Sequence, residues 1–425
     1  MNKRNKLKKK AIKKSFLILI VLCISLLSIY SFIKSTKNKK IETSLNNIIK
    51  NNLKEAKNEL NDLIEDSNKN HNLYIYRAYV EGELGQKEEA FKDIKSSLQL
   101  NSSNKLAYAV KTNLQLKYKD IEGAKESAEK GKDLKPKDAF ENFVLGSLYG
   151  NTIDKDKAMK FYDNALSKEA NYSMAYSGKG DVYFSLKEYN KALREYDRAL
   201  QISRKNYKAL SGKINSLIDI KKYEEAIKIG KQYLRNNDVK DIDVLYSLIS
   251  AYDAKKDYNG LLNFSDELLK KDSNNYEGYL CSGWAYYNLN NYEKAVQFFN
   301  KSIVINHKEA SSHNMRGWCY SSLKDYNKAK EDFEEALKLN NSYTDAYRGL
   351  AWVYNNQGKQ DKSIDICNKV LKFDKDNANI YACLGWNYLE KKDNKKAKEY
   401  FNKAISINHN DIDAQNGIKL LLSLY

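Results

Sequence analysis

Gly283-Trp284-Ala285-Tyr286, Gly317-Trp318-Cys319-Tyr320, Ala351-Trp352-Val353-Tyr354 and Gly385-Trp386-Asn387-Tyr388 hold all four tryptophans of this 425-residue chain, each phrase starting 34 residues after the one before. A fixed period of that size marks a stacked-repeat architecture, in which each unit buries its apolar side against the next and the array presents a long surface. The same ruler runs back to Gly180 and Gly146, with a single one-residue slip between Ile214 and Ile249.

Twelve residues after each of these anchors stands a second small residue: Ala56, Ala90, Ala124, Ala158, Ala192, Ala226, Ala295, Ala329 and Ala397, with Leu261 and Ser363 as the exceptions. Three residues after the first anchor comes an aromatic, as Tyr149, Tyr183, Tyr252, Tyr286, Tyr320, Tyr354 and Tyr388. A small residue followed by an aromatic three on shares one helix face. Between the two anchors lies a short polar break in which Asp120, Asp154, Asp257, Asn291, Asp325 and Asp393 fall at one position. Their side-chain oxygens can accept the free N–H groups of a starting helix, so each is expected to be an N-cap. Every repeat then reads as helix, turn, helix, and the paired small anchors let two antiparallel helices approach closely.

At this point the chain resembles the tetratricopeptide repeat family, whose pattern of small residue, Tyr, Ala, aromatic and Ala can be followed here. Four residues after the second anchor stand Tyr162, Tyr196, Phe299, Phe333 and Phe401, and three later Ala165, Ala199, Ser302, Ala336 and Ala404. The family's proline near the repeat end is present only as Pro136, the single proline of the chain. The resemblance implies an all-α, right-handed superhelical solenoid, with eleven repeats over residues 37–411 and a capping helix at 412–425 that covers the last apolar face. The first three repeats fit least well, with Asn47, Glu81 and Gln115 in place of the tyrosine, as expected for terminal repeats.

Residues 15–33 form nineteen consecutive residues without a charge, the length a bilayer core requires of a helix. This predicts one transmembrane helix, preceded by a basic tail at 1–14. The stretch is longer than the apolar region of a cleaved signal peptide, and Leu22 before Cys23 does not suit a lipoprotein. Eight basic residues precede the span against Lys34, Lys37, Lys39 and Lys40 after it, which puts the amino terminus in the cytoplasm and the repeats outside it. Half of the formal charge of +18 comes from residues 1–34, which carry nine Lys and Arg and no acids. The rest is lysine interleaved with acids, as in residues 330–338, which reads as a solvated helix face and not as a nucleic-acid groove.

No motif of a catalytic or cofactor site is found. There is no Gly-rich phosphate loop and no Gly-x-Ser-x-Gly elbow, and His71, His307, His313 and His409 are scattered, without a second ligand at helical spacing. The chain is therefore expected to be no enzyme, with no cofactor and no metal. Beyond Cys23, the cysteines are Cys281, Cys319, Cys367 and Cys383, with no C-x-x-C pair. Cys367 takes the slot of Phe333 and Phe401, which makes it a small core residue. Cys281 and Cys383 share one slot three repeats apart, beyond disulfide reach, so no disulfide framework is expected.

The core stripe of the first helix, with Tyr279, Ser282, Gly283 and Tyr286, centres roughly 150° from Trp284 on a wheel of about 100° per residue, so the indoles are expected to point away from that core. In the tetratricopeptide family this slot looks onto the concave groove, with the slots four and seven residues earlier and three later. Carried over, the resemblance assigns to the groove Glu277, Leu280, Trp284 and Tyr287; Ser311, Asn314, Trp318 and Ser321; Asp345, Arg348, Trp352 and Asn355; and Asn379, Ala382, Trp386 and Leu389. Large rigid rings are favoured interface anchors, so a protein or extended peptide is the expected ligand, with a glycan second; packing between repeats is the competing role for these indoles. The carboxylate clamp of chaperone-binding members is not expected, because Asn113 and Asn215 are preceded by Ala109 and Ser211 where the clamp needs lysine. The reading is a membrane-anchored interaction scaffold whose binding face lies in repeats eight to eleven. An assembly subunit of a cell-envelope or secretion complex, or a cytoplasm-facing adaptor at the membrane, are the alternatives.

Overall fold

The computed structural model describes residues 35–131, 133–151, 154–236 and 242–423. The expected tail and span, residues 1–14 and 15–33, lie outside the described residues, and among these no helix is long and apolar enough to cross a membrane. The described residues form twenty-three helices and no strand. Counting helical residues 35–49 as α1, odd-numbered helices open each helix pair and even-numbered ones close it, and α23 (Ile412–Ser423) lies against the last pair. This is the all-α solenoid expected from the 34-residue period.

The chain divides into two compact units, one ending at Lys222 and one starting at Tyr223. In the first, the opening helices α3 (His71–Glu83), α5 (Lys105–Lys117), α7 (Ala139–Gly150), α9 (Ser173–Ser185) and α11 (Tyr207–Asp219) each touch the next. In the second, α15 (Tyr276–Asn288), α17 (Ala310–Ser322), α19 (Thr344–Asn356), α21 (Ala378–Glu390) and α23 do the same. Closing helices meet their counterparts far less, so within each unit the opening helices line the tighter side of the stack.

The expected caps form. The side chains of Asp154, Asp257, Asn291, Asp325 and Asp393 accept the N–H three residues on, and Asp120 accepts that of Gly123 at 3.0 Å. A second set caps the opening helices: Asp138, Asn206, Asn275 and Asn377 accept the N–H three residues on, and Asn70, Asn104 and Glu309 that two residues on. Among the described residues, the turns within pairs are closed by a left-handed residue, which is Lys119, Lys187, Lys221, Lys256, Lys324 or Lys392, Asn51 or Asn290, and glycine at Gly85 and Gly358. Around Lys324 (φ 62°), the Asp325 N–H donates to the Tyr320 carbonyl at 2.9 Å, the six-to-one bond of a Schellman motif.

In five closing helices the residue four after the small anchor is an aromatic, and it acts as a wedge. Tyr162, Tyr196, Phe333 and Phe401 are buried, each between a residue sixteen before and one sixteen after: Gly146 and Gly178, Gly180 and Gly212, Gly317 and Gly349, Gly385 and Gly417. A Cβ at any of these glycines would stand 2.3–2.9 Å from the ring. Phe299 is flanked by Gly283, where a Cβ would stand 2.7 Å away, and by Met315. Basic residues of the opening helices add a polar tie across repeats. Arg316 forks onto Asp332 at 2.8 and 2.6 Å and reaches Asn300 of the preceding repeat at 2.6 Å, and Arg77 does the same with Asp93 and Asn61.

The four described cysteines are free, and Cys367 is buried in the wedge slot as expected. The residue sixteen on is Cys383, which packs against the same apolar cluster, so cysteines are brought together between adjacent repeats and not between positions that share a slot.

A side chain held left-handed costs about 1–2 kcal/mol, which glycine does not incur, although glycine loses about 0.5–1 kcal/mol more chain entropy on folding. Lys324→Gly should therefore raise stability by up to about 1 kcal/mol and Gly358→Ala lower it by a similar amount in calorimetric unfolding.

Candidate ligand-binding face

The tighter side of the first unit is filled by its own rings. Tyr79, in the slot that holds tryptophan later in the chain, is buried, lies edge-on to Phe140 at 5.2 Å and Phe143 at 5.8 Å, and donates its hydroxyl to the Met174 sulfur at 3.2 Å. Tyr76 meets Phe140 at 5.2 Å, and the Tyr207 hydroxyl donates to the Glu83 carbonyl at 2.9 Å. Repeats four, five and six thus each close onto repeat two.

In the second unit the same slot carries the indoles, and they do not behave alike. Trp318 lies edge-on to its own repeat's wedge, Phe333, at 5.2 Å, and Trp386 to Phe401 at 5.3 Å. The expectation that the indoles point away from the core fails for these two. A helical wheel treats side chains as radial spokes, whereas an indole is long, and Gly317 and Gly385 beside it have no side chain to hold it off the wedge ring. Trp284 stacks on Tyr287 at 6.0 Å, and its Nε1 donates to Asp253 of the preceding repeat at 2.7 Å. Trp352 is the exposed one, 36% accessible, with Tyr326 at 5.9 Å and Trp318 at 6.3 Å. The four indoles are therefore not a uniform ladder, and Trp318 and Trp352 are the pair that meets.

Asp345, at the first turn of α19, organises this pair. Its Oδ2 accepts Trp318 Nε1 at 2.9 Å and Asn314 Nδ2 at 2.8 Å, and its Oδ1 accepts Arg348 Nε at 3.0 Å. The Arg348 guanidinium in turn lies over the Trp318 ring, 4.5 Å from its centre. Burial works to raise the Asp345 pKa, but the Arg348 charge and the donated hydrogen bonds outweigh it and hold the carboxyl below the usual carboxylate range. Asn314 is fully buried, so it stands beneath the face where an open groove position was expected. Ser321 and Ala382 are buried too. The Oδ1 atoms of Asn314 and of partly buried Asn355 have no hydrogen-bond donor among the described residues. Asp345 was assigned to the groove from its slot. Its role as acceptor for Trp318, 27 residues earlier, has no signature in the local sequence.

The arrangement can seat an apolar side chain on the exposed Trp352 ring. Among the described residues, no group of three His, Cys, Asp or Glu side chains could hold a metal ion. Because the folded carboxyl is depressed, the contribution of Asp345 to stability is present above pH ~4 and is lost as pH falls through the lowered value. Asp345→Ala should lower the unfolding midpoint at neutral pH, followed by tryptophan emission, and the difference from the unaltered chain should shrink on acidification below that point.

The sequence model described as tetratricopeptide repeat matches residues 173–206, 276–306, 310–343, 344–377 and 378–411. No curated protein matches the chain in sequence. Among solved structures, a tetratricopeptide repeat protein from Parabacteroides merdae superposes with a TM-score of 0.51 at 22% identity, over 59% of this chain and 98% of that one. Yeast Tom70 aligns over 92% of this chain and 96% of its own, with a TM-score of 0.46 and 12% identity. YrrB, described as a TPR protein with an unusual peptide-binding site, covers 44% of this chain and 95% of its own, with a TM-score of 0.35 and 19% identity. Five segments of this all-α solenoid therefore match the tetratricopeptide repeat.

Proposed function

We propose that this chain is a non-enzymatic scaffold whose opening-helix face in repeats eight to eleven binds an extended polypeptide. The observation that carries the reading is the contrast between the two units at one slot. Tyr79 of the first unit is buried among its own rings, while Trp352 of the second stands exposed beside Trp318, over which the Arg348 guanidinium lies. An exposed indole held next to a fixed ring is the kind of anchor that seats an apolar side chain of a polypeptide.

The whole molecule is read as eleven repeats over 37–411 closed by 412–425, tethered by residues 15–33 as a single span with the amino terminus cytoplasmic. Nineteen uncharged residues after a strongly basic tail support the tether. No nucleic-acid role is proposed, since the lysines of the repeats are paired with acids along the helices, as in Lys328 with Asp325 at 2.8 Å and Lys338 with Glu335 at 3.1 Å.

Peptides selected from a random-sequence display library on the full chain provide the test. Trp352→Ala should weaken their binding by about 2 kcal/mol, roughly thirtyfold, and leave the unfolding midpoint in place. Trp318→Ala should lower the midpoint, because it removes the Phe333 and Asp345 contacts. Peptides that bind the Trp352→Ala chain as tightly as the unaltered one would overturn the assignment of the face. Protease added outside intact cells should degrade the repeats; a protected repeat domain contradicts the proposed orientation.

A further inference from the structure

The wedge slot and the slot sixteen residues after it are brought together by the fold. Where they hold phenylalanine and glycine, as in Phe333 with Gly349 and Phe401 with Gly417, the tip of the ring comes within 2.3 Å of the Cβ position. Between repeats ten and eleven both slots hold cysteine. Cys367, on α20 (Gln360–Leu371), is fully buried, and Cys383, on α21, is partly exposed; both are free thiols within one apolar cluster with Ala351, Val370, Ile380 and Leu384. The Cys383 side chain packs against the cluster that holds Cys367, and Asn387 Nδ2 donates to the Cys383 sulfur at 3.6 Å.

We infer that Cys367 and Cys383 are a reversible dithiol–disulfide pair that staples repeats ten and eleven, with Cys383 attacking and Cys367 resolving. The two sulfurs are unequal in the way this requires. Donation from Cys367 holds the Cys383 pKa down, while the same contact and burial hold that of Cys367 up. The thiolate is the nucleophile, and Cys383, the less buried of the two residues, is the one whose thiolate is favoured. The oxidant is a small-molecule disulfide such as oxidised glutathione. The Cys383 thiol releases its proton to solvent and its sulfur attacks one glutathione sulfur, expelling the other as a thiolate and leaving a mixed disulfide. Cys367 then loses its proton, attacks the Cys383 sulfur and expels the second glutathione thiolate. Two protein thiols are oxidised to one disulfide, and one glutathione disulfide is reduced to two thiols.

The chain contains its own control. Cys281 occupies on α15 the slot that Cys383 occupies on α21, but the wedge slot facing it holds Ser265, fully buried. Burial, with the charges of Glu277 and Asp253, pushes the Cys281 thiol up to about 12, and its facing residue offers no sulfur. This inference is independent of what the binding face holds.

The test is peptide mapping of the folded full chain after equilibration in glutathione redox buffer and alkylation. The expected product links Cys367 to Cys383, with Cys281 and Cys319 alkylated, and returns to free thiols in excess reduced glutathione. Cys367→Ser should trap glutathione on Cys383, and Ser265→Cys should add a second linkage to Cys281. The inference is overturned if Cys367 and Cys383 both remain alkylatable in the oxidising buffer, or if glutathione stays on Cys383 of the unaltered chain without being displaced. Because the unaltered chain alone gives a decisive result, a variant that fails to fold leaves the test intact.

Discussion

One residue in most repeats, buried between residues sixteen before and sixteen after it, fixes how these helices stack. The flanking residues belong to the opening helix of the same repeat and to that of the next, so a single side chain sets both the spacing within a pair and the spacing between pairs. Its volume is matched by its neighbours at most of these positions, Phe299 between Gly283 and Met315 being the exception. Rings at Tyr162, Tyr196, Phe333 and Phe401 have glycine on both sides. Where the wedge is small, the flanks grow: Ser265 lies between Ile249 and Cys281, and Cys367 between Ala351 and Cys383. Interiors are packed to crystal-like density, so volume removed at one of the three positions must be returned at another.

That constraint also explains where function can be placed. With the wedge and its flanks engaged in the stack, the slot next to the first glycine is left to vary. The first unit uses it for self-closure through Tyr79, which reaches rings of repeat four. The second fills it with indoles, two of which lean on the wedge, one of which bonds back to Asp253, and one of which, Trp352, stays exposed. Asp345 and Arg348 hold Trp318 beside it, so the exposed ring stands next to a fixed neighbour.

The helix pairs were legible because they rest on period, small anchors and capping side chains, each a local and repeated signal. Asp325 as a cap is visible three residues from the N–H it accepts. The left-handed turns were not legible, because lysine fills most of those positions and has no turn signature; the Schellman bonds of the backbone hold them there. The candidate face was legible as a set of slots but not as a set of roles. Trp318 and Trp352 look equivalent in sequence, yet differ because Phe333 and Asp345 come to the first, and Asn314 sinks beneath the surface to serve Asp345. The packing of Cys383 against the cluster that holds Cys367 requires the sixteen-residue relation between adjacent repeats, which a 34-residue ruler passes over.

A double-mutant cycle on one wedge tests the matched-volume account most directly. Gly349→Ala alone should destabilise the chain by about 1–3 kcal/mol, since its Cβ would meet the Phe333 ring. In a Phe333→Cys chain, which reproduces the arrangement around Cys367, the same Gly349→Ala change should be neutral or stabilising, giving a coupling energy of at least about 1 kcal/mol. Effects that add to within roughly 0.5 kcal/mol would contradict the account, because the wedge and its flank would then act independently.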